Sequence, residues 1–284
     1  MTINGLLNRG FNELKEGDFS NPLLDVQLLL CFILNVDKVY IYTHRDELVN
    51  KENVDKFNKL LNLRKEGYPL QYILKKQEFM GLDFFVDEGV LVPRPDTENL
   101  VERVIDISKD LKGKINIIDI GTGSGAISLS LAKFIKESFV YSIDINKRAI
   151  EVARKNALNF DLENVKFLNG DLFNPLDDKL KGNIDIIVSN PPYIPTSDIK
   201  TLQREVSKYE PKEALDGGLD GLNFYKEITK EANKWLKKNG VLAYEIGYNQ
   251  GREVMNILKS EGFIKVKCFK DLSKNDRVVI GFKA

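Results

Sequence analysis

The feature that most constrains this chain is a glycine-rich loop directly after an apolar segment. Ile115–Ile120 has the sequence INIIDI, Gly121–Gly125 has the sequence GTGSG, and an apolar helical pattern begins at Ala126. Glycine allows positive φ and a close approach of the backbone to a ligand, and the amides of the following helix point toward that ligand. The segment therefore predicts a strand, a ligand-binding loop and a helix of an α/β protein.

Strand and helix patterns alternate through the rest of the chain and predict a doubly wound sheet. Uninterrupted apolar runs such as Ile115–Ile120 and Ile184–Val188 are typical of parallel strands covered by helices on both faces. Only a polar turn at Ser273–Asp276 separates the last two runs, so we expect them to pair antiparallel. The prediction is a mostly parallel, seven-stranded sheet with a terminal antiparallel hairpin, its strands being 115–120, 139–143, 165–168, 184–188, 241–245, 263–269 and 277–282.

The N-terminal part of the chain has a helical pattern instead. Its apolar residues recur at helical spacing, and Ser20–Pro22 is a typical helix start because proline has no N–H to leave unpaired there. Alternation over Met80–Val86, a turn at Asp87–Gly89 and a return at Val90–Val92 predict a β-hairpin. The predicted domains are a small helical domain for substrate recognition (1–75), a β-hairpin linker (76–95) and the sheet domain (96–284).

Composition limits the classes of function. The chain has 42 basic and 42 acidic residues, and this balance argues against a protein that holds nucleic acid mainly through phosphate contacts. Two cysteines without a CxxC spacing and a single histidine argue for a reducing compartment and against a zinc site. The N-terminus has no signal-peptide pattern, and no apolar stretch is long enough to span a bilayer. We expect a cytoplasmic protein without a metal, a membrane or a directly bound nucleic acid.

An acidic residue ends the strand that follows the glycine loop. Asp144 lies about 20 residues beyond that loop, the spacing at which a carboxylate accepts hydrogen bonds from the ribose of a nucleotide cofactor. Because Gly121-x-Gly123-x-x-Ala126 also fits a dinucleotide-binding loop, the loop alone does not choose a cofactor. The terminal antiparallel hairpin argues against an NAD-dependent oxidoreductase, as does the next motif, which has no role in hydride transfer.

The strand at 184–188 is followed by the sequence SNPPYIP. Two prolines stiffen the backbone, and Pro191 forces Asn190 into an extended or turn conformation. The turn presents the Asn190 carboxamide, the Pro191 carbonyl and the Tyr193 ring at the edge where open α/β sheets bind ligands. Two acceptors and one flat ring suit a planar NH₂ group.

The motifs DIGTGSGAI and SNPPYIP, with the acidic strand end at Asp144, resemble class I S-adenosylmethionine-dependent methyltransferases that methylate planar nitrogens. The sequences LVPRPDTE at 91–98 and YEIGYNQG at 244–251, with the segment 205–222, resemble the protein-(glutamine-N5) methyltransferase family that acts on peptide-chain release factors. The resemblance covers nearly the whole chain. It implies S-adenosylmethionine as the cofactor and the glutamine of the release factors' Gly-Gly-Gln motif as the substrate.

The resemblance also implies roles for individual residues. The implied cofactor-binding residues are Gly121, Thr122, Gly123, Ser124, Gly125, Asp144, Asp171, Leu172 and Asn190. The implied catalytic residues are Asn190, Pro191 and Tyr193, which together with Pro192 hold the glutamine. Leucine stands at position 172 where some relatives carry an aromatic residue, and Asp96 stands where glutamate is common.

Other functions use similar motifs. An adenine-N6 nucleic-acid methyltransferase acts on the same kind of planar NH₂ group, although it normally needs a target-recognition region and a basic channel. A non-catalytic cofactor-binding protein and an NAD-dependent oxidoreductase are the remaining alternatives.

Overall fold

The computed structural model describes residues 1–284, and its contacts divide the chain into two compact units. The helical unit consists of residues 1–76 and 202–209, and the sheet unit of residues 77–201 and 210–284. The helical unit thus includes a late segment that the domains predicted from the sequence do not place there. None of the helices combines the length and the apolar character needed to cross a bilayer.

Polar side chains begin most helices of the helical unit. The side chains of Thr2, Asn21, Asp37 and Asn50 each accept a hydrogen bond from an amide of the first turn, and Pro22 opens its helix as predicted. The helices between residues 3 and 74 share an apolar core of their own. In chain order the helices are α1 (Ile3–Leu14), α2 (Pro22–Leu34), α3 (Lys38–Thr43), α4 (Lys51–Lys65), α5 (Leu70–Leu74), α6 (Pro95–Ser108), α7 (Ala126–Phe134), α8 (Lys147–Asn159), α9 (Arg204–Tyr209), α10 (Asn223–Trp235) and α11 (Gly251–Ser260), of which α1–α5 and α9 belong to the helical unit.

A buried arginine binds the late segment within the helical unit. Arg64 is only 4% exposed, and its guanidinium donates to Asp25 Oδ2 at 2.6 Å and to Glu205 Oε2 at 2.6 Å. The guanidinium also lies over the Phe19 ring, 4.4 Å from its centroid. Because a buried cation is costly without partners, Glu205 stabilises α9 in this unit.

The sheet unit is built on seven strands, which lie side by side in the order β5 (Val165–Asn169), β4 (Ser138–Asp144), β3 (Ile115–Ile120), β6 (Ile184–Ser189), β7 (Leu236–Glu245), β9 (Asp276–Lys283) and β8 (Phe263–Lys270). Neighbours from β5 to β7 pair parallel, whereas β9 is antiparallel to both β7 and β8. One core cluster lies between the sheet and helices α6 and α7, and a second between the sheet and helices α10 and α11. The predicted doubly wound sheet with a terminal antiparallel hairpin is confirmed. Two short strands, β1 (Gln77–Phe79) and β2 (Leu82–Phe84), pair with each other outside this sheet.

The predicted turn and second strand of the early hairpin are wrong. Strands β1 and β2 form a shorter hairpin, whose turn consists of Met80 at φ 53° and Gly81 at φ 72°. Two consecutive residues with positive φ match the type I′ turn that suits hairpin twist. Val90–Val92 forms no strand. Phe85 instead exchanges two backbone hydrogen bonds with the Asn156 side chain, at 2.7 and 2.9 Å, which takes the place of a pairing strand.

The sheet order brings four strand ends together at one edge. Strands β4, β3, β6 and β7 are neighbours, and they end at Asp144, Ile120, Ser189 and Glu245. The order of the strands along the chain reverses between β3 and β6, which is where open α/β sheets form a ligand crevice.

Candidate active site

The glycine loop at the end of β3 adopts a conformation that favours glycine. Gly121, Gly123 and Gly125 have φ of 77°, 57° and 85°. A Cβ atom on Gly121 would lie 3.9 Å from the Asn190 carbonyl oxygen, so this residue stands beside open space. A Cβ on Gly125 would lie 2.9 Å from Leu129 Cδ1, so this glycine serves packing at the helix start instead.

A buried polar cluster supports the glycine loop from below. The Thr122 hydroxyl donates to Asp119 Oδ2 at 2.7 Å and also contacts the hydroxyls of Ser128 and Ser142. The second oxygen of Asp119, Oδ1, has no hydrogen-bond partner, and burial raises the pKa of this carboxyl to about 7. The cluster ties the loop to β3, β4 and α7.

The Asp144 carboxylate is fixed at the end of β4. Its Oδ2 accepts from the Gly123 amide at 2.9 Å, and its Oδ1 accepts from the Asn146 amide at 2.8 Å. Burial raises the pKa of Asp144, and these two amides act in the opposite direction. Each carboxylate oxygen can accept a further hydrogen bond, so the group can both hold the loop and bind hydroxyls.

The SNPPYIP turn follows β6 and meets α6. The Asn190 side-chain nitrogen Nδ2 donates to Thr97 Oγ1 at 3.2 Å, which leaves Oδ1 as the end of the carboxamide that can accept from a ligand. The Tyr193 ring packs against the second core cluster, and burial raises the pKa of its hydroxyl. The Tyr193 carbonyl accepts from Gln250 Nε2 at 3.0 Å.

A cavity of about 550 Å³ lies between the glycine loop and this turn. It is lined by most of the residues predicted from the sequence, namely Gly121, Thr122, Gly123, Ser124, Asp144, Asp171, Leu172, Asn190, Pro191 and Pro192. Gly125 and Tyr193 do not line it. Leu172 has a φ of 45°, an unusual backbone conformation for leucine that is often found at functional sites.

Two further segments complete the cavity wall. One runs from Gly89 to Thr97 and the other from Pro211 to Asp216. Arg94 of the first segment links it to the second, because its Nη2 donates to both carboxylate oxygens of Glu210, the residue before Pro211, at 2.7 and 2.8 Å. Sequence reasoning assigned these segments no binding role, although parts of both carry the family resemblance.

Comparisons with known proteins relate both parts of the chain to described families. The family described as "Methyltransferase domain" matches residues 111–277, and the one described as "PrmC N-terminal domain" matches residues 5–74. The release factor glutamine methyltransferase of Fusobacterium nucleatum is 45% identical over 280 residues, which cover 98% of this chain and 78% of that protein. The protein of the same name from Clostridium acetobutylicum is 42% identical over 285 residues, which cover 100% of this chain and 99% of that protein. The chain belongs to the release factor glutamine methyltransferase family.

Membership of this family confirms the resemblance identified from the motifs. The fold is also that of a crystal structure of a methyltransferase from Pyrococcus furiosus, with a TM-score of 0.53 and 20% sequence identity over 80% of this chain and 98% of that one. At that level of identity the likeness concerns the fold alone.

Sequence reasoning missed one buried residue beside the turn. Glu245 ends β7, next to the strand that leads to Asn190, and it is 1% exposed. Its Oε2 has no hydrogen-bond partner. The sequence YEIG offered a signal, since an acidic residue within a buried strand needs a reason to be there.

Proposed function

We propose that this protein transfers a methyl group from S-adenosylmethionine to the side-chain amide nitrogen N5 of the glutamine in the Gly-Gly-Gln motif of peptide-chain release factors. The observation that carries the proposal is the position of the Asn190 turn against the open side of Gly121, within one cavity. A cofactor held by the loop and an amide held by the turn would therefore meet.

The residues at the edge of the sheet fit this cofactor. The cavity has room for a nucleoside with an amino-acid tail, and the fixed carboxylate of Asp144 can accept from ribose hydroxyls. In this proposal the backbone of Gly121–Gly125 holds the methionine portion, and Asp171 and Leu172 lie beside the adenine. When bound, S-adenosylmethionine supplies an electrophilic methyl group on a sulfonium that is a good leaving group.

The main task of the chain is to align a poor nucleophile. The lone pair of an amide nitrogen is delocalised into its carbonyl group, so position and electrostatics must favour transfer. Asn190 Oδ1 and the Pro191 carbonyl accept from the two N–H bonds of the substrate amide and stabilise positive charge that develops on nitrogen. The proton becomes acidic after transfer and leaves to water.

The remaining residues of the turn keep its shape. Pro191 and Pro192 restrict the backbone, and Tyr193 anchors it through its buried ring and through the hydrogen bond from Gln250 to its carbonyl. We assign Tyr193 this anchoring role in catalysis because its ring packs against the core.

The substrate partner follows from the same reasoning. Two acceptors that grip one amide cannot distinguish one glutamine from another, so selectivity must come from a wider contact with the release factor. We assign that contact to the helical unit. Because release factors act in translation termination, we assign the reaction to the cytoplasm. The balance of 42 basic and 42 acidic residues supports a protein partner without direct binding of nucleic acid.

Incubation with radiolabelled S-adenosylmethionine tests the proposal. We expect label in a release factor with an intact Gly-Gly-Gln motif and none when its glutamine is replaced by alanine. Fragment mass spectrometry should locate the methyl group on the glutamine side chain. Labelling of DNA instead would support the adenine-N6 alternative, and binding of NAD in calorimetry would support the oxidoreductase.

A further inference from the structure

The carboxyl group of Glu245 is buried directly behind the turn that carries Asn190. Ser189 pairs with Tyr244 in neighbouring parallel strands, so Asn190 and Glu245 occupy the next position on each chain. Glu245 is 1% exposed, and its Oε2 has no hydrogen-bond partner. Burying a carboxyl group is costly, so a site that retains one needs a compensating use for it.

Thr97 lies beside both this carboxyl group and the Asn190 carboxamide. Asn190 Nδ2 donates to Thr97 Oγ1 at 3.2 Å. Burial raises the pKa of Glu245 to about 7, whereas hydrogen bonding from Thr97, the charge of Arg277 and hydrogen bonding from Asn190 act in the opposite direction. The hydroxyl of Thr97, itself 4% exposed, accepts from Asn190, and both side chains lie close enough to the Glu245 carboxyl group to lower its pKa.

An ionised carboxylate can only accept hydrogen bonds, so an ionised Glu245 determines which atoms of its neighbours face it. The neighbouring Thr97 and Asn190 side chains must then direct their donor atoms toward it. The only end of the Asn190 carboxamide that can donate is Nδ2. Its other end, Oδ1, is therefore directed away from Thr97.

The other charged and titratable groups around Glu245 belong to five different segments of the chain. Arg277 on β9 is the cation that lowers the pKa of Glu245, and it pairs with Asp96 of α6 at 3.0 Å and with Asp271 at 3.2 Å. Tyr193 and Tyr225 also face Glu245, and burial raises the pKa of both hydroxyls, so they stay neutral. Glu245 is thus the group near Asn190 whose charge changes close to neutral pH.

We infer that Glu245 is a positioning residue, acting together with Thr97 to hold the Asn190 carboxamide with its oxygen toward the substrate amide. The inference rests on the proposed function. When Glu245 is protonated it can donate to Thr97, and Thr97 can then donate to Asn190 Oδ1. The carboxamide would turn its nitrogen toward the substrate, which offers two donors and no acceptor there.

Steady-state methylation of a release factor between pH 5.5 and 8.5, at saturating cofactor, tests this role. In the wild type we expect kcat to rise through pH 7 as Glu245 ionises. In Glu245→Gln we expect kcat at pH 8 to fall about 10- to 100-fold, the range for loss of a hydrogen bond to a charged group, and its pH dependence to disappear. Affinity for S-adenosylmethionine, measured by calorimetry, should stay within about twofold.

Two matched comparisons complete the experiment. Thr97→Val removes the hydroxyl at nearly constant shape and should lower kcat as Glu245→Gln does, whereas Thr97→Ser should keep it near wild type. Burial also raises the pKa of Asp119 to about 7, but this residue contacts Thr122 of the glycine loop and not Asn190. Asp119→Asn should therefore retain the pH dependence of kcat.

Several outcomes would overturn the inference. Wild-type kcat and pH dependence in Glu245→Gln would do so, as would equal activity of the two Thr97 variants or loss of the pH dependence in Asp119→Asn alone. The Thr97 pair decides the question if circular dichroism shows Glu245→Gln to be unfolded. A wild-type protein that methylates no release factor would contradict the proposed function itself, which is a separate result.

Discussion

A carboxamide has two ends of nearly equal size but opposite hydrogen-bonding character, so the role of Asn190 can be tested by removing both. In Asn190→Ala we expect S-adenosylmethionine affinity to stay within a few-fold and single-turnover methylation to fall by about 10²–10³, the usual effect of losing a preorganised hydrogen bond to developing charge. Rates near wild type at saturating cofactor would contradict the assigned role.

Asp144 should give the opposite result. Each hydrogen bond to a charged group contributes roughly 1.5–3 kcal/mol, so Asp144→Ala should weaken S-adenosylmethionine binding about 10- to 100-fold in calorimetry. The Gly123 amide also loses its acceptor, which adds to the effect by loosening the loop. Unchanged affinity would make Asp144 a support for the loop alone.

At the scale of elements, the turn after β6 depends on a glycine far from it in sequence. Gly221 has a φ of +71°, and a Cβ there would lie 2.3 Å from the Tyr193 carbonyl oxygen and 2.8 Å from Gln250 Nε2. Alanine at this position must therefore displace the hydrogen bond that anchors the turn.

Gly221→Ala should lower kcat on a release factor by up to about 100-fold, since a shift of about 1 Å in a catalytic group can have that effect. Gly182→Ala is the matched control because Gly182 also has a φ of +71° but no atom within 4 Å of the added Cβ. Backbone strain should cost each variant about 1–2 kcal/mol in urea unfolding. Gly221→Ala should lose more stability than Gly182→Ala because of its steric overlap, and only Gly221→Ala should lose activity. Equal activities of Gly221→Ala and Gly182→Ala would show that the turn does not depend on Gly221.

Features that depend on interactions between neighbouring residues could be predicted from the sequence, whereas features that depend on contacts between distant segments could not. The limits of β3 were predicted as the structure has them because an apolar run such as INIIDI is a local signal. The turn of the early hairpin was missed because Met80 is not a usual residue for positive φ. The positions of Thr97 and Glu245 beside Asn190 depend on strand order and on the packing of α6, which no local pattern determines.

At the scale of the molecule, the helical unit is the part we assign to partner recognition. A chain that begins at Gln77 should keep near-normal affinity for S-adenosylmethionine, because every residue lining the cavity belongs to the sheet unit. It should methylate a short Gly-Gly-Gln peptide weakly and lose most of its efficiency on the intact release factor, since a specific interface usually buries about 1,200–2,000 Å².

Circular dichroism should first show that the shortened chain folds, because α9 loses Arg64 as a partner. Full efficiency on the intact factor would refute the docking role. Loss of cofactor binding in a folded chain would show instead that the helices serve to shield the sheet.

The pairing of Arg64 with Glu205 also bears on the order of events during synthesis. The two residues are 141 positions apart. A ribosome that adds about 5–20 residues per second needs about 7–28 s to make that stretch. During this interval the nascent helices have Asp25 but not Glu205 to balance the buried guanidinium. Strands β3–β6 emerge before α9 does, so the segment translated first is completed only after four strands of the large sheet have been made.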